Sequence, residues 1–199
     1  MAVFASAFVR GRMAGFEKDM QICLTPIPRA DGTGKTHAYF PALAACLSTL
    51  EYLTALARGD TNGIGWTQVA DFAIGYMTQP DFDRDTVRVL FEAFRHPIAH
   101  RGIASGVWVD RNRGPGHGRR IVWKISAGAQ RPACQVKAEA GVVKHDSHWP
   151  CPFSHRVHIN LKALAIEVRD AATQYVQRVG HDLHLQRNFA ACMHQLYPA

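Results

Sequence analysis

Apolar residues recur at three- and four-residue steps along most of this chain, and that rhythm breaks once, between residues 106 and 159. Residues 3–22 carry Phe4, Phe8, Phe16 and Met20 at helical spacing, weakened by Gly11 and Gly15. Pro26 and Pro28 close this helix, and residues 25–40 read as a loop. Residues 41–57 give the clearest helix. Pro41 suits its first turn, Leu43, Leu47, Leu50, Leu53 and Leu56 form one stripe, and Gly59 stands where a C-terminal stop belongs. A third helix over 66–78 carries Val69, Phe72, Ala73, Tyr76 and Met77. After Pro80-Asp81, either Asp83 or Asp85 can cap a helix whose stripe is Val87, Leu90, Phe91 and Phe94.

Within the break the period shortens to that of strands. Val107-Trp108-Val109 and Ile121–Ile125 are β-rich, and the glycine- and arginine-rich stretch 111–120 between them predicts a hairpin with a mobile basic tip. A third strand is expected near 133–138 and a short fourth at 157–159, with 139–155 irregular. Asn160 can cap a helix carrying Leu161, Leu164, Val168, Ala172, Tyr175 and Val179, which Gly180 ends. A last amphipathic helix holds Leu185, Phe189, Cys192, Met193 and Leu196. The expected fold is mainly α (α+β): an antiparallel helical bundle with an inserted three- or four-stranded antiparallel sheet. It forms a single domain over 1–199, with the bundle in 1–103 and 160–196 and the insertion in 106–159.

Composition adds bounds. With 47% apolar residues the 199-residue chain can bury a real core. A formal charge of +7, with eleven histidines besides, favours phosphate polymers as partners. Five scattered cysteines, odd in number and without a CxxC, suit reduced thiols and a cytoplasmic setting. Cys46 and Cys192 fall on apolar stripes and are expected in the core. The apolar start, Ala2 to Val9, reads as helix and not as a signal peptide. No apolar run approaches the roughly 18 residues of a membrane span, so no membrane is expected.

The chemistry concentrates in Phe91-Glu-Ala-Phe-Arg-His-Pro-Ile-Ala-His-Arg-Gly102. On a straight helix His96 and His100 share a face, while Phe94 and Ile98 continue the core stripe. Arg95 and His100 would diverge by about 140°. Pro97 lacks an N–H and its ring crowds the Ala93 carbonyl, so a kink or restart is expected there. An arginine and a histidine brought together can hold a phosphate and move a proton.

Arg95, four spacers and His100, at the end of an apolar helix, resemble the Arg–x4–6–His motif of the HEPN superfamily, whose members often carry a polar residue where His96 stands. The helices over 41–57 and 160–179 also fit such a bundle, whereas the strands would be an addition to it. The resemblance implies a metal-independent endoribonuclease, possible in a toxin- or defence-related role with an antitoxin protein as partner, that needs no cofactor. It implies a homodimer in which two motif helices build one cleft. Arg95 would hold the scissile phosphate, His100 would exchange the proton of the 2′-hydroxyl or leaving 5′-oxygen, and His96 would assist. The alternative is a non-catalytic HEPN-like module binding RNA or protein, its Arg–His pair bracing the kink.

Other segments offer weaker chemistry. Gly32-Thr33-Gly34-Lys35-Thr36 ends like a phosphate-binding loop, but Arg29 replaces the first glycine and no strand precedes it. His145, His148, Cys151, His155 and His158 lack the spacing of a zinc finger, so no metal site is assigned. Arg101, with Arg111, Arg113, Arg119, Arg120 and Lys124 beside Trp108 and Trp123, supplies candidate RNA contacts, although the tryptophans are better placed as core.

Overall fold

The structure is a computed structural model that describes residues 1–77, 82–101, 106–114, 116–144 and 150–198. The side chains of His100, Arg101 and Lys144 lie outside this description. Helix α1 (Ala2–Cys23) leads into a small hairpin of β1 (Ile27–Pro28) and β2 (Lys35–Thr36). Helices α2 (Tyr39–Arg58), α3 (Trp66–Tyr76) and α4 (Arg84–Leu90) follow, then a π-helical turn (Phe91–Arg95) and α5 (His96–Arg101). Strands β3 (Trp108–Val109), β4 (Arg120–Ser126), β5 (Cys134–Lys144) and β6 (Pro150–Asn160) form a second sheet. Helices α6 (Leu161–Val179) and α7 (Leu183–Leu196) complete the chain.

Helix α2 is the hub. Its leucine stripe is almost wholly buried, with α1, α3, α6 and α7 packed around it. Each such leucine, taken from water, contributes about 1.5–3 kcal/mol. This corrects one expectation: α2 is long and apolar enough to span a bilayer, although half of that stretch is buried within the protein. Gly59 ends the helix in the left-handed region (φ 78°), and a Cβ there would sit 2.8 Å from the Asn188 backbone. The position thus needs glycine for both conformation and space. On α1 the buried stripe is Ala5, Val9, Met13, Phe16 and Met20, so Phe4 is half exposed instead of core. Cys46 and Cys192 are core, joined by Cys134.

The fold is α+β with two small sheets, which overturns the expected helical bundle carrying one antiparallel sheet. The larger sheet runs β3-β4-β6-β5 and is mixed, because β6 lies parallel to β4 and antiparallel to β5. The segment 139–155, expected to be irregular, supplies the end of β5 and the start of β6. Pro150 and Pro152 are tolerated because β6 there pairs only with β5; β4 joins from His155 onward. Gly141 lets the Phe153 ring cross β5, where a Cβ would come within 2.7 Å of it.

Two smaller expectations also change. The loop over 25–40 contains the β1–β2 hairpin, and Lys35-Thr36 are a strand, so this stretch does not wrap a phosphate against a helix start. Asn160 precedes α6 but makes no capping bond; its amide donates to the Gln130 and Pro132 carbonyls and its oxygen accepts from Ser126. Asp83 does cap α4, accepting from the Thr86 N–H at 2.7 Å.

Candidate functional site

The break expected at Pro97 takes the form of a π turn just ahead of it. The His96 N–H bonds to the Phe91 carbonyl, five residues back. The wider turn absorbs one residue and lets the helix continue through Pro97 as α5 while Phe91, Ala93 and Phe94 stay buried. Such turns are frequent at functional sites.

Arg95 ends this turn, half-buried. Its Nε donates to Glu51 Oε2 on α2 at 2.9 Å, and Nη2 stands 2.8 Å from the same oxygen. One edge of the guanidinium is thereby fixed, and arginine has further donors to offer. His96 is exposed beside it. Burial holds the Glu92 carboxyl above its ordinary pKa, opposed by Arg88 and, more weakly, by His96. His100 and Arg101 belong to α5 by their backbone; the expected roles of their side chains fall outside the described residues.

The glycine-rich hairpin is pinned at its base by buried charges. Asp110 is fully buried and accepts from Arg88 (2.9 and 2.7 Å), from Arg119 (2.9 Å) and from the Asn112 N–H (3.1 Å). Asp85 on α4 accepts from both arginines at 2.7–2.8 Å. Arg88 also lies over the Trp108 ring. Burial pushes the Asp110 carboxyl up, but the bonds from Arg88, Arg119 and Asn112 outweigh it and hold the group well below the usual carboxylate range. Asp85 is held low chiefly by Arg119, with Arg88 assisting against burial.

This lock redistributes the expected RNA contacts. Arg119 belongs to the lock, and Arg120 donates through Nε to the Pro152 carbonyl at 2.6 Å. Arg111 and Arg113 are exposed on the tip, while Lys124 is exposed farther along β4, opposite His158 in register. Trp108 and Trp123 pack against the core, as expected. Of the histidine and cysteine cluster, His145 and His148 lie outside the described residues. His155 and His158 are three apart on β6 and therefore take opposite faces of the sheet. Burial and then Arg119 hold the His155 imidazole below its ordinary pKa.

A two-lobed groove between α3–α4 and the hairpin joins residues named from the sequence to others that were not, among them Trp66, Arg84 and Asn112. One lobe, of about 660 Å³, is bordered by Trp66, Glu92, Trp108, Arg111 and Asn112. The other, of about 890 Å³, is bordered by Trp66, Arg84, Asp85, Arg119 and His155. Trp66 and Asn112 belong to both. The signal available for Trp66 was a tryptophan directly after Gly65, at the first position of a helix. No protein-family model matches the chain, no curated protein matches it, and no solved structure matches it.

Proposed function

We propose that the chain acts on RNA at the π-distorted helix end, as a metal-independent endoribonuclease with the chemistry of the HEPN motif that Arg95 and His100 resemble. The 2′-oxygen attacks phosphorus, so an O2′–P bond forms and the P–O5′ bond breaks. One histidine removes the 2′-hydroxyl proton and a second delivers a proton to the departing 5′-oxygen. The products are a 2′,3′-cyclic phosphate and a 5′-hydroxyl. Two copies of the chain, meeting along this helix, supply two His100 imidazoles to a shared cleft, with His96 assisting. Arg95 holds the phosphate and stabilises its developing charge.

The supporting observation is the setting of Arg95. It sits in a π turn, partly exposed, fixed along one edge by Glu51 and adjacent to an exposed histidine. A guanidinium held this way is oriented before a phosphate arrives. The test is incubation with single-stranded RNA in chelator. Cleavage to cyclic-phosphate ends, lost in His100→Ala, is the expected result; intact RNA with the parent protein overturns the nuclease.

The same ion pair favours a second reading. A carboxylate already on Arg95 competes with a phosphate, and the chain would then bind RNA without cutting it. Retained RNA binding without cyclic-phosphate products, in parent and His100→Ala alike, selects this reading.

A further inference from the structure

The two-lobed groove has an unusual lining. Two indoles, Trp66 and Trp108, share it with a side-chain amide, Asn112. Four arginines line it (Arg84, Arg88, Arg111 and Arg119) against the carboxylates of Asp85 and Glu92. These parts do different jobs. Arg88 and Arg119 are consumed by the lock and shape the floor. Arg84 is bound to Asp71 at the rim, and Arg111 is exposed. Asn112 gives its backbone to the lock, through its N–H to Asp110 and its carbonyl to the His117 ring. Its exposed side-chain amide is thus held on a fixed backbone, with a donor and an acceptor side by side.

An indole wall, a fixed amide and arginines at the rim match the parts of a nucleotide: a flat base, its hydrogen-bonding edge and its phosphate. Both lobes open at the surface and share Trp66 and Asn112, so neighbouring nucleotides of one strand can reach them side by side. It is also joined to the motif helix. Glu92 borders the first lobe and lies within the π turn that ends at Arg95.

We infer that this groove is a base-binding subsite for single-stranded RNA, in which an unpaired base stacks on Trp66, Asn112 bonds its edge, and Arg111 and Arg84 take the flanking phosphates. The inference rests on the proposed action on RNA and names where the strand lies beside the motif. Trp66 is a positioning residue for that strand.

The experiment uses the full chain carrying His100→Ala, so that RNA survives, and a fluorescein-labelled single-stranded RNA octamer read by anisotropy. Adding Trp66→Ala is expected to weaken binding about tenfold or more, the usual loss for one stacked base. Trp66→Phe, which keeps a ring, is expected to retain most of the affinity, and Asn112→Ala to lose a few-fold. Equal affinity with and without Trp66 overturns the subsite and leaves the nuclease proposal standing if the parent cleaves RNA. A parent that neither binds nor cleaves overturns both. Trp66 also packs on the core, so Trp66→Ala is checked by circular dichroism. If it is unfolded, crosslinking of 5-bromouridine RNA to the intact groove decides. Attachment at Trp66 or Trp108 supports the subsite, and attachment only elsewhere overturns it.

Discussion

Arg88 and Arg95 lie on one continuous helical run, seven residues apart, and do opposite work. The Arg88 side chain is 4% exposed and meets Asp110, Asp85 and Glu92. Arg95 is 26% exposed and meets Glu51 alone among the ion pairs of the described residues. The first is committed to holding a hairpin against a helix. The second keeps donors toward solvent. Between them the helix widens into its π turn, and that change of pitch lets one run of sequence serve both ends. Arginine content alone says little about RNA contacts here; what matters is how many carboxylates each guanidinium already faces.

The difference has measurable consequences. Arg88→Ala removes both Arg88 bonds to the buried Asp110 and leaves it only Arg119 and the Asn112 N–H, so the unfolding free energy is expected to fall by up to about 3–5 kcal/mol in urea titration. Replacing Arg88 and Asp110 together by methionine and leucine should cost much less, because no charge is stranded. Arg95→Ala should reduce the proposed RNA cleavage by about 10²–10³-fold while changing stability by less than about 1 kcal/mol. A stability loss at Arg95 as large as that at Arg88 would erase the distinction and make both arginines structural.

Acid sharpens the contrast. Asp110 and Asp85 have folded pKa values below their unfolded ones. Their contribution is present in full above the unfolded carboxylate range and is lost as pH falls through the lower folded values. Urea midpoints of the parent should therefore drop steeply in strong acid, and those of Arg88→Ala should drop less. The smallest effect is expected at Glu51→Gln. Removing this partly exposed charge should alter stability by less than about 1 kcal/mol and raise affinity for RNA a few-fold, measured by anisotropy. A fall in affinity would mean that Glu51 orients Arg95 more than it competes for it.

The helices were legible in the sequence because each buries a stripe at regular spacing; the leucines of α2 are the clearest case. Strand direction was not. A two-residue period states which face is buried and nothing about whether the neighbour runs parallel, so the β4–β6 pairing had no local signal. The outer part of β5, from Glu139 on, was missed for a related reason: Glu139, Ala140 and Val142 are all exposed, so no buried face marks this stretch as a strand. The motif arginine was found from its spacing to His100. Its partner Glu51 was hidden 44 residues away, and the Asp110 that pins the base of a glycine-rich tip takes its arginine from 22 residues earlier. Glycine signalled freedom correctly at the level of the backbone, but long-range charges overrode it.

Helix α6 begins at Leu161 with no residue between it and the end of β6 at Asn160. Ile159 and Leu161, on either side of that junction, are both completely enclosed. From the neighbouring β4–β5 connection, Arg131 reaches Glu167, a buried carboxylate on α6, at 2.9 Å. The strands are therefore a keystone instead of an ornament. Trimming the chain to its helices would remove the Gly128 carbonyl that accepts from the Lys162 and Ala163 N–H groups at the start of α6, take Arg131 away from Glu167 and leave a sticky, poorly soluble fragment.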